Sequence, residues 1–172
     1  MTTVQEFAIS GTCSTPALKP LNEQILALLL PVVSDDLVSC EDIVRIAGNS
    51  TLALLQPEAR TALRQAITER CHERGLMHGY RTVAQQMVLR QWFLNWQRCG
   101  VKSVRNSGRS DHEKGTAIDI ADFSGWKPFL ENHGWLWAGP GDRAHFHFIG
   151  SGHDRPSPDR ERTRLPAPVE SA

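Results

Sequence analysis

The chain has 172 residues, 19 Lys+Arg against 19 Asp+Glu, and a formal net charge of zero. That length suits one ordinary domain able to bury its own core, and a neutral chain lacks the basic excess by which duplex binders displace counterions, so nucleic acid is not an expected partner. The longest apolar run, Ile25 to Val33, is about half of what a membrane-spanning helix needs and carries Pro31, so no membrane span is expected; nor does the N-terminus show the basic start and cleavage site of a signal peptide.

Residues 1–20 are rich in Ser, Thr and Pro and read as an irregular arm. Asn22 to Val33 has the apolar residues of a short buried helix, stopped near Pro31. Ser39 is a suitable N-cap for a second short helix, Cys40 to Ala47, with Gly48 placed to end it. A stronger helix is expected from Pro57 to about Arg74: Pro suits the first position, Gly75 follows the end, and Ala59, Ala62, Leu63, Ala66, Ile67 and Cys71 recur at helical spacing. Thr82-Val-Ala-Gln85 is a capping box, in which hydroxyl and amide each satisfy an orphan backbone N–H. The helix it opens runs past Trp92 and Trp96 to Gly100.

Beyond Gly100 the pattern changes. Residues 101–110 are rich in Gly, Ser, Arg and Asn and read as loop. Thr116 to Phe123 is a β-type run, a helix fits Gly125 to His133, and Trp135–Trp137 and Ala144–Ile149 read as two strands joined by the turn Ala138–Asp142. Residues 151–172, charged and Pro-rich, read as a disordered tail. The order is helices first and an antiparallel sheet second, an α+β arrangement, divided into an arm with a small helical subregion (1–55), a main domain (56–150) and the tail (151–172). A monomer is expected. Cys13, Cys40, Cys71 and Cys99 stand far apart with no CxxC pair and read as buried thiols, a disulfide being the alternative.

The chemistry concentrates in Ser110-Asp-His112-Glu-Lys-Gly115-Thr-Ala117-Ile-Asp119-Ile120. In a strand over Ala117–Asp122, Ile118 and Ile120 face the core while Asp119 projects from the opposite side among small alanines. His112 lies on the preceding loop, and Gly115 lets that loop turn back toward Asp119. Imidazole plus carboxylate suits Zn²⁺, and a catalytic zinc wants a third protein ligand and an open position. The segment Asp142-Arg-Ala-His145-Phe-His147-Phe is the natural source: His145 and His147 share one face and the phenylalanines the other. Asp142, three residues before His145, suits a carboxylate that takes a proton from the attacking water. Arg143 beside it is expected to lower its pKa. Trp126, Trp135 and Trp137 are expected to pack rather than to line a groove.

These residues resemble the zinc D-Ala-D-Ala carboxypeptidase and VanY-type peptidases, the M15 peptidase family. Its S-x-H-x-x-G-x-A-x-D signature reads Ser110, His112, Gly115, Ala117, Asp119 without a gap, its acid-x-x-His-Phe signature reads Asp142 to Phe146, and its Gly-Tyr-Arg-Ser/Thr turn reads Gly79-Tyr80-Arg81-Thr82, followed by Gln85 and Gln86. The resemblance covers about Gln56 to Ile149. It implies helices packed on a small antiparallel sheet carrying a zinc site, a hedgehog/D-Ala-D-Ala peptidase-like fold. It implies His112, Asp119 and His145 as zinc ligands, with His147 as an alternative to His145. It further implies Asp142 as general base and Arg81 as the group that binds the scissile carbonyl. Ser110 and His147 are candidate substrate contacts, Ser110 alternatively a loop holder. The implied activity is hydrolysis of peptidoglycan stem peptides, first of all D-alanyl-D-alanine carboxypeptidase action. An endopeptidase of the same family cutting L-Ala-D-Glu or a cross-link is the alternative, and a metal-containing binding module a more distant one. Such a substrate lies in the cell envelope or periplasm, while no signal peptide is visible.

Overall fold

The computed structural model describes residues 3, 6, 8, 13, 15–33, 36–46, 52–71, 75–76, 78–95, 98–101 and 103–150. A 3₁₀ turn, Thr15–Leu18, leads into helix α1, Lys19–Val33. Strands β1 (Val38–Ser39), β2 (Arg45–Ile46) and β3 (Leu54–Leu55) follow. Helix α2 spans Pro57–Arg70, strand β4 Gly75–Leu76, helix α3 Val83–Leu94, and a second 3₁₀ turn Arg98–Gly100. Strand β5 (Ala117–Asp119), helix α4 (Phe123–Asn132), and strands β6 (Trp135–Trp137) and β7 (His145–Phe148) complete the order. Helices therefore dominate the first part and the antiparallel sheet the second, the expected α+β order. The expected tail, 151–172, lies outside the described residues, as does half of the expected arm, 1–20. No helix among the described residues is long and apolar enough to cross a membrane.

The sheet that matters for the site has the order β5-β7-β6, all antiparallel, with β7 in the middle. Its register pairs Ile118 with Phe146 and Asp119 with His145 across β5–β7, and Trp137 with Phe146 across β6–β7. Alternation along each strand then sends Ile118, Phe146, Phe148 and Trp135 to one face, and Ala117, Asp119, His145 and His147 to the other. The first face is covered by α2 and α4: Ala59, Ala62, Leu63 and Ala66 meet Trp126 and Leu130 and the apolar strand residues in one core. Each large side chain fully buried there contributes about 1.5–3 kcal/mol relative to exposure. Trp126 and Trp135 are core residues, as expected, and Trp137 stacks on Phe123 at 5.5 Å. Asp122 fastens this layer. It caps α4 by accepting Gly125 N–H at 3.2 Å, and it pairs with Arg70 of α2 at 2.7 Å, whose guanidinium lies over Trp126.

Several expectations are corrected. No helix forms over the described part of 40–47. Ser39 Oγ accepts Glu41 N–H and Cys40 O accepts Ile43 and Val44 N–H, which makes one turn, after which Arg45–Ile46 pairs in parallel with Gly75–Leu76. Eight residues are too few to repay helix nucleation when a strand partner is available. Helix α2 ends at Arg70 rather than 74 because Cys71 turns left-handed (φ 56) and caps it. Helix α1 starts three residues early, runs through Pro31, and is not buried all round: Leu28 and Val32 are 79% and 81% exposed. The cysteines are not all thiols. Cys13 and Cys99 form a disulfide, Cys40 is a buried thiol and Cys71 an exposed one.

Candidate metal centre

The polar face of the sheet receives the loop 110–115 and the turn 78–82. Asp119 N–H donates to His78 O at 2.9 Å and Arg81 N–H to His112 O at 3.2 Å, so backbone bonds tie turn, loop and β5 together. The loop is closed by its own polar groups. Glu113 accepts from Ser107 Oγ and from the Gly108 and Ser110 N–H groups, and Thr116 N–H donates to Asp111 O. Gly115, at φ +72, makes the final turn into β5. His112 is thereby carried under the turn, 2% exposed.

His112 Nδ1 lies 2.7 Å from Gly79 O. A carbonyl only accepts, so Nδ1 carries the proton and Nε2 presents a lone pair. That lone pair faces Asp119 Oδ1 at 3.3 Å and His145 Nδ1 at 3.1 Å, and His145 Nδ1 is 3.0 Å from the same oxygen. Three acceptor atoms from three segments thus converge on one point, the described cluster suited to a metal ion. Two imidazoles and a carboxylate match the donor set of zinc with an open position, and a ligating histidine held by a backbone carbonyl on its other nitrogen is the usual supporting arrangement. Without an ion, a proton on His145 Nδ1 can bridge these atoms; with one, all three can turn a lone pair to it, so the residues present fit the ion. Burial opposes ionisation of Asp119, yet His112, His145 and Arg81 outweigh it and hold the carboxyl well below the usual range. Burial pushes the His112 pKa down, which keeps it the neutral ring a ligand must be.

The cluster lines a cleft of about 1070 Å³ that is also lined by Arg81, Asp142, Ser110, Arg105 and Arg143. Arg81 sits one residue before the α3 cap. Its Nη2 pairs with Asp119 Oδ2, while its Nε is buried with no protein partner. Burial lowers its pKa, opposed by Asp119 and Asp142; a guanidinium keeps its charge through such a shift. Asp142 stands at the turn into β7, its carbonyl accepting His145 N–H at 3.1 Å. Its pKa is raised, by partial burial and then by the Asp119 charge, with His145, Arg81 and His112 pulling the other way. The expected lowering by Arg143 is not found, because adjacency in sequence did not bring that guanidinium to bear on the carboxylate.

Ser110 is buried, held to Glu113 by its backbone on both sides, and reaches the cleft edge. His147 pairs with Ala117, its ring 6.2 Å from that of His145, and does not line the cleft. Among the cleft residues to which the sequence assigned no role, Gln86 stands out. Gln86 is fully buried, its Nε2 donates to Arg105 O at 2.9 Å, and its Oε1 has no protein partner. The Gln85-Gln86 pair that closes the capping box and follows it was the sign of it in the sequence.

No family model and no curated protein matches the chain. Among solved structures it is similar to the LdcB LD-carboxypeptidase, described with the basis of its peptidoglycan recognition: 20% identity, TM-score 0.54, covering 68% of this chain and 69% of that one. It also aligns with the vancomycin-resistance D,D-pentapeptidase VanY in complex with Zn(II) and with VanYB in complex with D-alanine-D-alanine. Each of these is 14% identical at TM-score 0.47, covering 63% of this chain and 79% and 77% of theirs. The likeness to LdcB is one of fold, and it places this chain's architecture beside that of a carboxypeptidase.

Proposed function

We propose that this chain is a zinc peptidase of the M15 type that hydrolyses peptidoglycan stem peptides, with removal of the terminal D-alanine from D-alanyl-D-alanine as its first activity. The observation that carries this reading is the convergence of His112 Nε2, Asp119 Oδ1 and His145 Nδ1 within 3.0–3.3 Å, in a cleft that also holds Arg81 and Asp142. His112, Asp119 and His145 would hold the ion. Bound there, zinc supplies Lewis-acid polarisation of the scissile carbonyl and a more acidic attacking water.

The chain's own groups do the rest. Asp142 takes the proton from the attacking water and returns it to the leaving amine, a transfer that needs a carboxylate at the cleft wall but not among the ligands. Arg81 offers its guanidinium to the carbonyl oxygen as negative charge develops, and its pairing with Asp119 fixes that guanidinium in advance. Gly79, by accepting from His112, keeps the ring in the tautomer that leaves Nε2 free. A binding module has no use for a base and an oxyanion donor beside its metal, which favours the enzyme.

The likeness to LdcB favours a second reading of the scissile bond, cleavage between an L-residue and a terminal D-alanine. Both readings are tested together. The purified chain is assayed for zinc, then incubated with pentapeptides ending in D-alanyl-D-alanine, with tetrapeptides ending in an L–D bond, and with cross-linked muropeptides, with and without chelator. Chelator-sensitive release of D-alanine from one of the first two identifies the bond. Products from the cross-linked material alone make the chain an endopeptidase. One zinc per chain with no product from any substrate removes the enzyme reading.

A further inference from the structure

The N-terminal arm takes no part in the chemistry above, yet its residues Ala8 and Leu18 pack against α3, the helix that lends Gln86 and Leu89 to the cleft. Ala8 is fully buried, and its carbonyl accepts Trp92 Nε1–H of α3 at 3.1 Å. Ala8, Leu18, Val88 and Trp92 form a core of their own, against which Cys99 and Val101 pack. Asn22 of α1, also buried, accepts from Thr82 Oγ1 at 2.7 Å, one residue from Arg81. The covalent link is Cys13–Cys99, joining positions 86 apart.

Cys99 is the point from which one wall of the cleft departs. It has φ +63, a left-handed conformation that favours glycine, and Gly100 follows at φ +71. The chain then runs through Val101, Ser103, Val104 and Arg105 along the cleft. The disulfide ties this wall to the arm; to α3 the wall is tied by the packing of Cys99 and Val101 against Val88 and Trp92 and by the hydrogen bonds Gln86 Nε2 to Arg105 O at 2.9 Å and Arg90 Nη1 to Val104 O at 3.0 Å. A second cavity, about 190 Å³, is lined both by the disulfide, Cys13 and Cys99, and by His78 and Arg81 next to the site, with Leu89 and Trp92 of α3. Empty space beside the bond means that the wall and Arg81 have room to move once the bond is cut. Cys13 is exposed, so reductants reach it.

We propose that the Cys13–Cys99 disulfide is a redox-controlled positioning element of the substrate cleft: oxidised it holds the 99–105 wall in place, reduced it lets the wall leave α3 and substrate binding fails. The step is a two-electron exchange. Two monothiols of the glutathione class are oxidised to their disulfide while Cys13 and Cys99 each gain a proton and become thiols; no other group changes. The chain is then a poor hydrolase in a thiol-rich compartment and a competent one in an oxidising compartment. The hydrolytic consequence rests on the function proposed above, and the motion of the wall does not.

The test compares the full chain in a Cys71→Ser background, which removes the exposed thiol, before and after reduction by a phosphine that does not chelate zinc. The double variant Cys13→Ser/Cys99→Ser serves as the permanently reduced form. Hydrogen exchange is read over 99–105 and over β5 and β7. On reduction, exchange over 99–105 should accelerate about tenfold or more while the two strands keep their protection. In the hydrolysis arm KM should rise about tenfold or more with kcat within about twofold, zinc content unchanged, and reoxidation restoring KM. Equal protection of 99–105 in both states overturns the proposal, and so does uniform loss across wall and strands, which marks a bond that merely stabilises the whole fold. Absence of hydrolysis in the oxidised chain overturns the proposed function instead, and the exchange arm still decides this inference.

Discussion

A Cβ added at Gly115 would collide with Leu37 Cδ2 and stand 3.2 Å from Gln56 N, at a φ of +72 that L-residues avoid. Gly115 O also accepts Gln56 N–H at 2.9 Å, so the backbone has no freedom to retreat. Gly115→Ala should therefore cost about 2–3 kcal/mol in denaturant unfolding and weaken zinc binding, because the same loop carries His112. Asp142→Asn separates base from ligand: zinc content should stay at the wild-type value while kcat/KM falls about 10²–10⁴-fold, and a variant that loses its zinc would make Asp142 a ligand. Cys40 tests burial alone. Its thiol is pushed up to about 12 from 9.0 by burial, with Arg60 opposing and Asp42 adding to the rise. The native chain thus keeps a proton that the unfolded chain gives up. This stability is whole below pH 9 and is lost as pH rises toward 12, up to about 4 kcal/mol. Urea titrations across that range should show the slope, and Cys40→Ala should flatten it. The three residues that converge were legible because loop, glycine and strand follow one another in sequence and strand alternation fixes which side Asp119 takes. The direction of the Asp142 shift was not legible, since it depends first on burial in the folded cleft and then on Asp119, far off along the chain.

The capping box of α3 shows how an element can be read locally and still depend on its neighbours. Thr82 Oγ1 accepts Gln85 N–H at 3.3 Å and Gln85 Oε1 accepts Thr82 N–H at 3.0 Å, as the spacing alone foretold. The same hydroxyl donates to Asn22 of α1, a partner that no local pattern announces. Thr82→Ala should cost about 2–3 kcal/mol, the cap plus the stranded Asn22 oxygen, while Thr82→Ser should keep most of it; chemical denaturation of the two variants decides. A cost for alanine no larger than about 1 kcal/mol would mean that the Asn22 bond contributes nothing beyond the cap. Elements whose signals are local, such as α2, the start of α3 and the β6–β7 hairpin, were legible in the sequence to within a few residues, whereas α3 stops at Leu94 and not at the expected Gly100, with a separate 3₁₀ turn at Arg98–Gly100. The segment 40–46 was not, because its fate was settled by pairing with Ala53 O and with β4, contacts that lie outside any local window.

Across the whole molecule, the α+β order follows from apolar periodicity, whereas the pairing of Cys13 with Cys99 and the burial of Ala8 against Trp92 depend on the path of the arm and left no mark in composition or spacing. The metal centre is the other place where distant parts of the chain meet. The turn at Gly79–Arg81, the loop at His112, β5 at Asp119 and β7 at His145 all close on one point, and three acceptor atoms crowd there within 3.0–3.3 Å. Those groups are scattered in the unfolded chain, so an ion bound there stabilises the fold by mass action. At a thousandfold excess of zinc over its Kd the gain is about 4 kcal/mol, which for a chain of this length raises Tm by roughly 8–16 °C. Calorimetry with zinc and with chelator should show that interval, and His112→Ala should abolish it without removing the cores formed by the helices. A Tm indifferent to zinc in the wild-type chain would mean that the convergence of His112, Asp119 and His145 is held by hydrogen bonds alone, and the proposed function would lose the observation that carries it.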